Sequence, residues 1–76
     1  MKELLITIAQ ALVNEPDKVV VKQIDQGNTI VLEISVAPED MGKIIGKQGR
    51  RAQAIRSVMK AKATREGKRV IVDIIG

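Results

Sequence analysis

The stretch GKIIGKQGRR, residues 42–51, holds three glycines and four cations in ten positions, with two adjacent isoleucines at its centre. Glycine lets the backbone turn sharply and approach a ligand closely, because it has no Cβ atom. Such a stretch suits either a plain turn between two helices or a loop that binds an anion. The rest of the chain must decide between these two interpretations.

Two common phosphate loops do not fit the stretch. A nucleotide P-loop has four residues between its glycines and then Gly-Lys-Ser/Thr. Here only three residues separate Gly42 from Gly46, and Gln48 stands where the hydroxyl belongs. The dinucleotide fingerprint G-x-G-x-x-G follows a strand, whereas this stretch follows a predicted helix. What remains is the segment from Gly46 to Gly49 between two predicted helices.

Hydrophobic periodicity predicts six elements around this loop. Helical spacing covers residues 3–14, β-branched and alternating patterns cover 18–24 and 29–36, and turn residues fill 25–28. A short helix is predicted over 39–45, a long helix from 49 or 50 to just before Gly67, and a last strand over 70–75. The order is α-β-β-α-α-β. It predicts one α+β domain over residues 1–76, with a mixed three-stranded sheet and three helices on one face.

The core is predicted to be aliphatic, because the chain contains no Phe, Tyr or Trp. The core-facing stripes are expected at Leu4, Leu5, Ile8, Ala9, Leu12 and Val13 of the first helix, at Ile30, Leu32, Ile34 and Val36 of the second strand, and at Ala52, Ile55, Met59 and Ala63 of the long helix.

Charge is distributed unevenly along the chain. Residues 1–40 contain three lysines against seven acidic residues, a net charge of −4, whereas residues 41–69 contain ten Lys or Arg against one Glu, a net charge of +9. A basic half indicates a polyanionic partner, of which nucleic acid is the commonest. The alternative is a solvated lysine-rich helix face.

Composition also restricts the function classes. The absence of Cys and His removes the usual zinc and haem ligands, so we predict no metal and no cofactor. We predict no enzymatic activity, because the acidic residues lie mostly in the first half, away from the glycine loop. The N-terminal stretch imitates a signal peptide, but Glu3 interrupts its basic region and Thr7 its short apolar run. We therefore expect a cytoplasmic protein.

The loop and its context resemble a known family. Ile44-Ile45-Gly46-Lys47-Gln48-Gly49-Arg50-Arg51, with Ala52 and Ile55 behind it, is similar to the Ile-Gly-x-x-Gly signature of the KH (K-homology) domain. The element order resembles the type II arrangement, and the whole chain looks most like the small bacterial stand-alone KH proteins of the KhpA (YlqC) type. Many KH domains carry Ile or Leu where this chain has Ala52, and that departure affects the expected groove shape.

The resemblance implies a protein that binds single-stranded RNA, with the glycine loop clamping about four nucleotides beside an aliphatic groove. Such a protein would act as an RNA chaperone or post-transcriptional regulator. The alternative is a KH-fold adaptor that serves as a subunit of a larger RNA-binding complex. The expected partners are single-stranded RNA and a second KH subunit, in a homodimer or a heterodimer. The expected RNA-binding residues are Gly42, Lys43, Ile44, Ile45, Gly46, Lys47, Gln48, Gly49, Arg50, Arg51 and Arg56.

Some of the basic and loop residues are expected to have other roles. One of Ile44 and Ile45 should line the groove and the other fill the core, and the pattern does not say which. Gly42 is expected to be a close-packing position on the short helix. Lys62, Arg65 and Lys68 are interpreted as solvated surface that adds long-range attraction.

Overall fold

The computed structural model describes residues 1–75, so the last residue of the predicted domain, Gly76, lies outside the described part. The elements are α1 (Lys2–Leu12), β1 (Val20–Gln26), β2 (Thr29–Ser35), α2 (Met41–Ile45), α3 (Arg50–Arg65) and β3 (Arg69–Ile75), with 3₁₀ turns at Pro16–Lys18, Pro38–Asp40 and Lys47–Gly49. The predicted order is confirmed. Within residues 1–75, no helix has both the length and the apolar character that a membrane crossing requires.

The sheet has the predicted mixed topology. Its strand order is β1-β2-β3, with β1 antiparallel to β2 and β2 parallel to β3. A two-residue loop at Gly27 and Asn28 joins β1 to β2, as the tight turns of hairpins do. The path from β2 to β3 runs through α2 and α3, since parallel neighbours need a long crossover.

The helices cover one face of this sheet. Alternate residues of β2 are buried against them, namely Ile30, Leu32 and Ile34. The predicted stripes supply the other side of the core, with Leu5 and Ala9 from α1 and Ala52, Ile55, Met59 and Ala63 from α3. Burial of these aliphatic groups is the main source of stability in a chain of this size. The opposite face of the sheet carries no helix among the described residues.

The first helix ends earlier than predicted, at Leu12 instead of Asn14. The backbone N–H groups of Asn14 and Glu15 donate to the two carboxylate oxygens of Asp40, at 3.2 and 3.1 Å, instead of to helical carbonyls. The sequence pattern placed Asp40 at a helix N-terminus. Its side chain makes no cap hydrogen bond to α2 and is 1% exposed, so it joins the end of α1 to the start of α2.

The first strand also begins later than predicted, at Val20 instead of Lys18. Pro16 opens a 3₁₀ turn that is closed by the N–H of Lys18 on the carbonyl of Glu15 and by the N–H of Val19 on that of Pro16. Proline's fixed φ favours the first position of such a turn.

Candidate nucleic-acid interface

The glycine loop connects α2 to α3 through backbone conformations that few residues adopt. Gly46 has φ 74° and ψ 176°, Gln48 has φ 57° and ψ 27°, and Gly49 has φ 74° and ψ 8°. A positive φ is uncommon for a residue with a Cβ atom, and such strain is often found at functional sites. The loop is therefore held in one shape by its surroundings.

Gly46 is required by close packing as well as by its dihedral angles. A Cβ atom at this position would lie 2.4 Å from Cβ and 2.9 Å from the backbone nitrogen of Arg51. The Arg51 guanidinium in turn donates from Nη1 to the carbonyl oxygen of Lys43 at 2.7 Å. Arg51 thus ties the first turn of α3 to the end of α2, a structural role that the sequence did not indicate.

A groove of about 330 Å³ opens on one side of the loop, and we call it the loop groove. Its lining residues are Met41, Ile45, Gln48, Gly49, Ala52, Gln53, Arg56 and Ile74. Met41, Ile45, Ala52 and Ile74 supply its apolar surface, and the two glutamines and the arginine supply hydrogen-bonding groups. This combination can pack against a flat base and contact its polar edge.

The two isoleucines before the loop have different positions. Ile44 is 1% exposed and belongs to the core, whereas Ile45 is 39% exposed and lines the loop groove. The side chain of Ile44 therefore offers a ligand no surface, so the expectation that it contacts RNA was wrong, and Ile45 is the isoleucine that lines the groove. Which of the two isoleucines is buried depends on the direction of α2 relative to the sheet. The hydrophobic periodicity of a five-residue helix does not define that direction.

Arg56 stands where α3 meets the free edge of β3. Its Nε donates to the carbonyl oxygen of Val72 at 3.3 Å, and the side chain lines the loop groove beside Ile74. An arginine carries five N–H donors, so one bond to the strand leaves others for a ligand. The contact also holds the guanidinium in position before any ligand arrives.

On the other side of the loop lies a second concavity of about 360 Å³, which we call the outer cleft. It is lined by Gly46, Lys47, Arg50, Arg51 and Ala54. The two central loop residues thus face different sides, with Gln48 in the loop groove and Lys47 in the outer cleft. A phosphate backbone crossing the loop would meet cations on one side and, on the other, a groove with both aliphatic and hydrogen-bonding side chains.

Two of the residues expected to contact RNA, Gly42 and Lys43, lie outside both concavities. A Cβ atom at Gly42 would meet nothing within 4 Å, so the expectation that Gly42 is a close-packing position was wrong. Lys43 is half-buried, and its Nζ lies 4.0 Å from Oδ1 of the buried Asp40. Both residues lie on α2 and line neither concavity beside the loop.

Besides Ala52, which was expected only to affect the shape of the groove, three groove residues were missed at the sequence level. Met41 precedes Ile45 by four residues and Gln53 follows Gly49 by four, so both lie on the flank of their helix that faces the groove. That spacing was available as a signal. No sequence signal indicated Ile74, because its position in the groove depends on which edge of the sheet lies beside α3.

The comparisons agree with this architecture. The family model described as KhpA/KhpB, KH domain matches residues 2–74. The chain is 60% identical over 75 residues to RNA-binding protein KhpA of Clostridium acetobutylicum and 61% identical over 75 residues to that of Caldanaerobacter subterraneus subsp. tengcongensis, covering 99% of this chain and 100% of each relative.

Solved structures with a similar fold belong to a larger protein. Aquifex aeolicus Era bound to GDP·AlF4⁻ matches with a TM-score of 0.65, and Era in complex with MgGDPNP and nucleotides 1506–1542 of 16S ribosomal RNA matches with a TM-score of 0.58. Each is 25% identical and covers 95% of this chain, which spans 28% of the Era chain. The family model and the relatives are decisive: the chain belongs to the KhpA/KhpB family of KH domains.

Proposed function

We propose that this protein binds single-stranded RNA in the cytoplasm, where it acts as an RNA chaperone or post-transcriptional regulator. The loop from Gly46 to Gly49 clamps the backbone of about four nucleotides, and their bases lie in the loop groove. The domain performs no catalytic step and needs no cofactor.

The observation that carries this proposal is the position of the loop between two chemically different concavities. Lys47, Arg50 and Arg51 line the outer cleft, whereas the loop groove combines aliphatic side chains with the amides of Gln48 and Gln53 and the guanidinium of Arg56. A nucleic-acid strand has the same asymmetry, with phosphates along one side and bases on the other. Because the chain has no aromatic residue, bases would pack on aliphatic side chains instead of stacking on rings.

The relatives support the same proposal. Those of the two bacteria above are named RNA-binding proteins, and they match this chain along its whole length. A protein of similar fold, Era, has been crystallised with nucleotides of 16S ribosomal RNA. The arginines and lysines beside the loop are the side chains that bind phosphate.

The decisive variant is Lys47→Asp together with Gln48→Asp. Both residues are exposed, so the melting temperature should stay nearly unchanged while RNA affinity is lost. The matched control, Lys18→Asp with Gln26→Asp, makes the same change in net charge at exposed positions away from the loop. Fluorescence anisotropy with labelled single-stranded RNA measures both variants. Unchanged affinity in the loop variant, or equal losses in the two, would refute the assignment.

Salt dependence gives an independent test. Each neutralised phosphate of a single strand contributes about −0.7 to the slope of log affinity against log salt concentration. Two to four phosphate contacts therefore predict a slope of about −1.4 to −2.8. A slope near zero would show that the loop cations do not contact phosphates, and would favour the adaptor function.

A second candidate function, as a subunit of a KH dimer, is favoured by the open face of the sheet. Among the described residues, three of the five large hydrophobic side chains that are exposed lie there: Val20 at 59%, Ile71 at 54% and Ile75 at 45%. The register places Lys22 of β1 and Asp73 of β3 level with each other on opposite sides of this face. A twofold axis parallel to β2 would set each Lys22 over Asp73 of the second copy, and it would also set Glu33, which lies between them in the same row, opposite Glu33 of the second copy.

That arrangement predicts that Val20→Glu converts a dimer to a monomer, because it places a carboxylate in the apolar part of the contact. Val58→Glu, at 48% exposure on α3, is the matched control and should leave the dimer intact. Sedimentation velocity distinguishes the outcomes. If the wild-type chain is monomeric, the sheet face is not a dimer contact. If the wild type is a dimer and only the Val58→Glu variant dissociates it, the contact lies on α3 and the sheet face is excluded.

A further inference from the structure

The glycine loop follows α2, a helix that is too short to be stable by itself. α2 has five residues, Met41–Ile45, whereas isolated helices shorter than about 12 residues are marginal in water. It nevertheless keeps one direction, because it turns Ile44 into the core and Ile45 into the loop groove. Contacts with the rest of the domain must therefore set the direction of α2.

Hydrogen bonds to other elements hold α2 at both ends. Directly before its N-terminus, the carboxylate of Asp40 accepts the backbone N–H groups of Asn14 and Glu15, at 3.2 and 3.1 Å. Near its C-terminus, the carbonyl oxygen of Lys43 accepts a hydrogen bond from Nη1 of Arg51 at 2.7 Å. α2 is thus fixed to the end of α1 and to the first turn of α3, and the glycine loop follows directly.

Asp40 cannot contact RNA itself. Its side chain is fully buried and lines neither the loop groove nor the outer cleft. Gly46 follows it by six residues, which is about 9 Å along a helix that rises about 1.5 Å per residue. Any influence of Asp40 on RNA binding must therefore pass through α2.

We propose that Asp40 is a positioning residue for RNA binding. By holding the start of α2 against the end of α1, it fixes the direction in which α2 brings Gly46 to Arg51 and Ile45 to the loop groove. The loop then has its binding shape before RNA arrives, so that less conformational freedom is lost on binding. The proposal rests on the proposed function, because it concerns the same glycine loop.

Charge and position predict opposite effects of Asp40→Asn. The substitution removes a negative charge near the loop and leaves Lys43, whose Nζ lies 4.0 Å from Oδ1 of Asp40, without its anion. By charge alone, both changes would strengthen the binding of a polyanion. The positioning role predicts weaker binding, because an amide donor then faces a backbone N–H and the start of α2 is released. If α2 keeps its direction in about one molecule in ten, the apparent RNA affinity falls about tenfold.

The test measures the affinity of the full chain for a labelled random-sequence oligoribonucleotide by fluorescence anisotropy, at a temperature where circular dichroism shows every variant to be folded. Asp40→Asn should bind about tenfold more weakly than the wild type, with the same salt slope, since no phosphate contact is lost. The charge control is Glu39→Gln, which makes the same change in net charge at the neighbouring exposed position and should bind at least as tightly as the wild type.

The stability control is Ile30→Ala. Ile30 is buried in β2 and pairs with Val70 of β3, whereas the loop groove borders β3 at Ile74. The substitution should lower the melting temperature, because it leaves a cavity in the core, and should leave RNA affinity unchanged in the folded chain.

Hydrogen exchange in the RNA-free chain tests the positioning directly. The N–H of Gly46 donates to the carbonyl oxygen of Gly42 at 2.9 Å, which is a hydrogen bond of α2 next to the loop. In Asp40→Asn, the protection of this N–H should fall about tenfold further than in Ile30→Ala, because α2 opens locally. If Asp40→Asn does not fold, Asp40→Ser takes its place, since a hydroxyl can accept one N–H without placing an amide donor against the other.

The outcomes separate this proposal from the proposed function. RNA binding by Asp40→Asn that equals or exceeds that of the wild type would overturn the positioning role. Equal losses of RNA affinity in Asp40→Asn and Ile30→Ala would also overturn it, because general stability would then account for both. If the wild-type chain binds no RNA, the proposed function fails, and hydrogen exchange decides alone: a selective loss of protection at Gly46 supports the positioning of the loop by Asp40, and equal protection in the two variants refutes it.

Discussion

Replacing Gly46 by alanine should destabilise the protein far more than the same change at Gly49. Both glycines have φ 74°, so dihedral strain alone does not separate them. A Cβ atom at Gly46 would lie 2.4 Å from Cβ of Arg51, whereas one at Gly49 would meet nothing within 4 Å. The pair therefore compares close packing with dihedral strain inside one loop.

The magnitudes follow from these contacts. At Gly46, a backbone region that is almost restricted to glycine costs about 1–3 kcal/mol. Moving Arg51 away from the new methyl group would also weaken its charged hydrogen bond to Lys43, worth about 1.5–3 kcal/mol. The expected loss is about 3–5 kcal/mol. At Gly49 the left-handed conformation costs about 1–2 kcal/mol, of which the reduced entropy of the unfolded chain returns about 0.4–1 kcal/mol.

Thermal or urea unfolding followed by circular dichroism measures both losses. For a domain of this size, about 1 kcal/mol corresponds to about 4–8 °C in Tm. The Gly49 variant should lose several degrees, and the Gly46 variant at least twice as much. Gly42→Ala is the control for the substitution itself, since it meets neither strain nor contact. Equal stability of the Gly46 and Gly49 variants would refute the packing argument.

Two further predictions concern the acidic side of the molecule. Asp40→Asn replaces one carboxylate acceptor by an amide donor facing a backbone N–H, and the free energy of unfolding in urea should fall by about 1.5–3 kcal/mol. For the exposed control Asp17→Asn it should change by no more than about 0.5 kcal/mol. Equal effects of the two variants would contradict the buried role of Asp40. The neighbouring Glu39 carboxyl, which a protonated Glu15 can hydrogen-bond, raises the pKa of Glu15 above its ordinary value. This interaction therefore stabilises the fold below the ordinary pKa and is lost as pH rises through the raised one. Glu15→Gln should remove the part of the pH dependence that comes from Glu15 and raise Tm at neutral pH relative to the wild type, because an amide does not repel the Glu39 carboxylate. A Tm curve from pH 4 to 7 parallel to that of the wild type would contradict this.

Most of the fold was predictable because its elements are strongly periodic. The alternation in β2 and the helical stripe in α3 each define which side chains turn inward, and both were confirmed by burial. The ends of elements were less predictable. α1 stops at Leu12 because the backbone N–H of Asn14 donates to the carboxylate of Asp40, which lies 26 residues after Asn14. No local pattern contains that interaction.

The sequence by itself determined the element order, the strand directions, the aliphatic core and the glycine loop, because each depends on neighbours within a few residues or on the length of a connection. Tertiary structure decided which isoleucine is buried, which side of the loop Lys47 and Gln48 each face, and that Arg51 holds α2 against α3. It also brought Lys60 and Lys68 together in one cleft. These outcomes depend on how α3 lies against the edge of β3, a long-range packing geometry that side-chain periodicity does not encode.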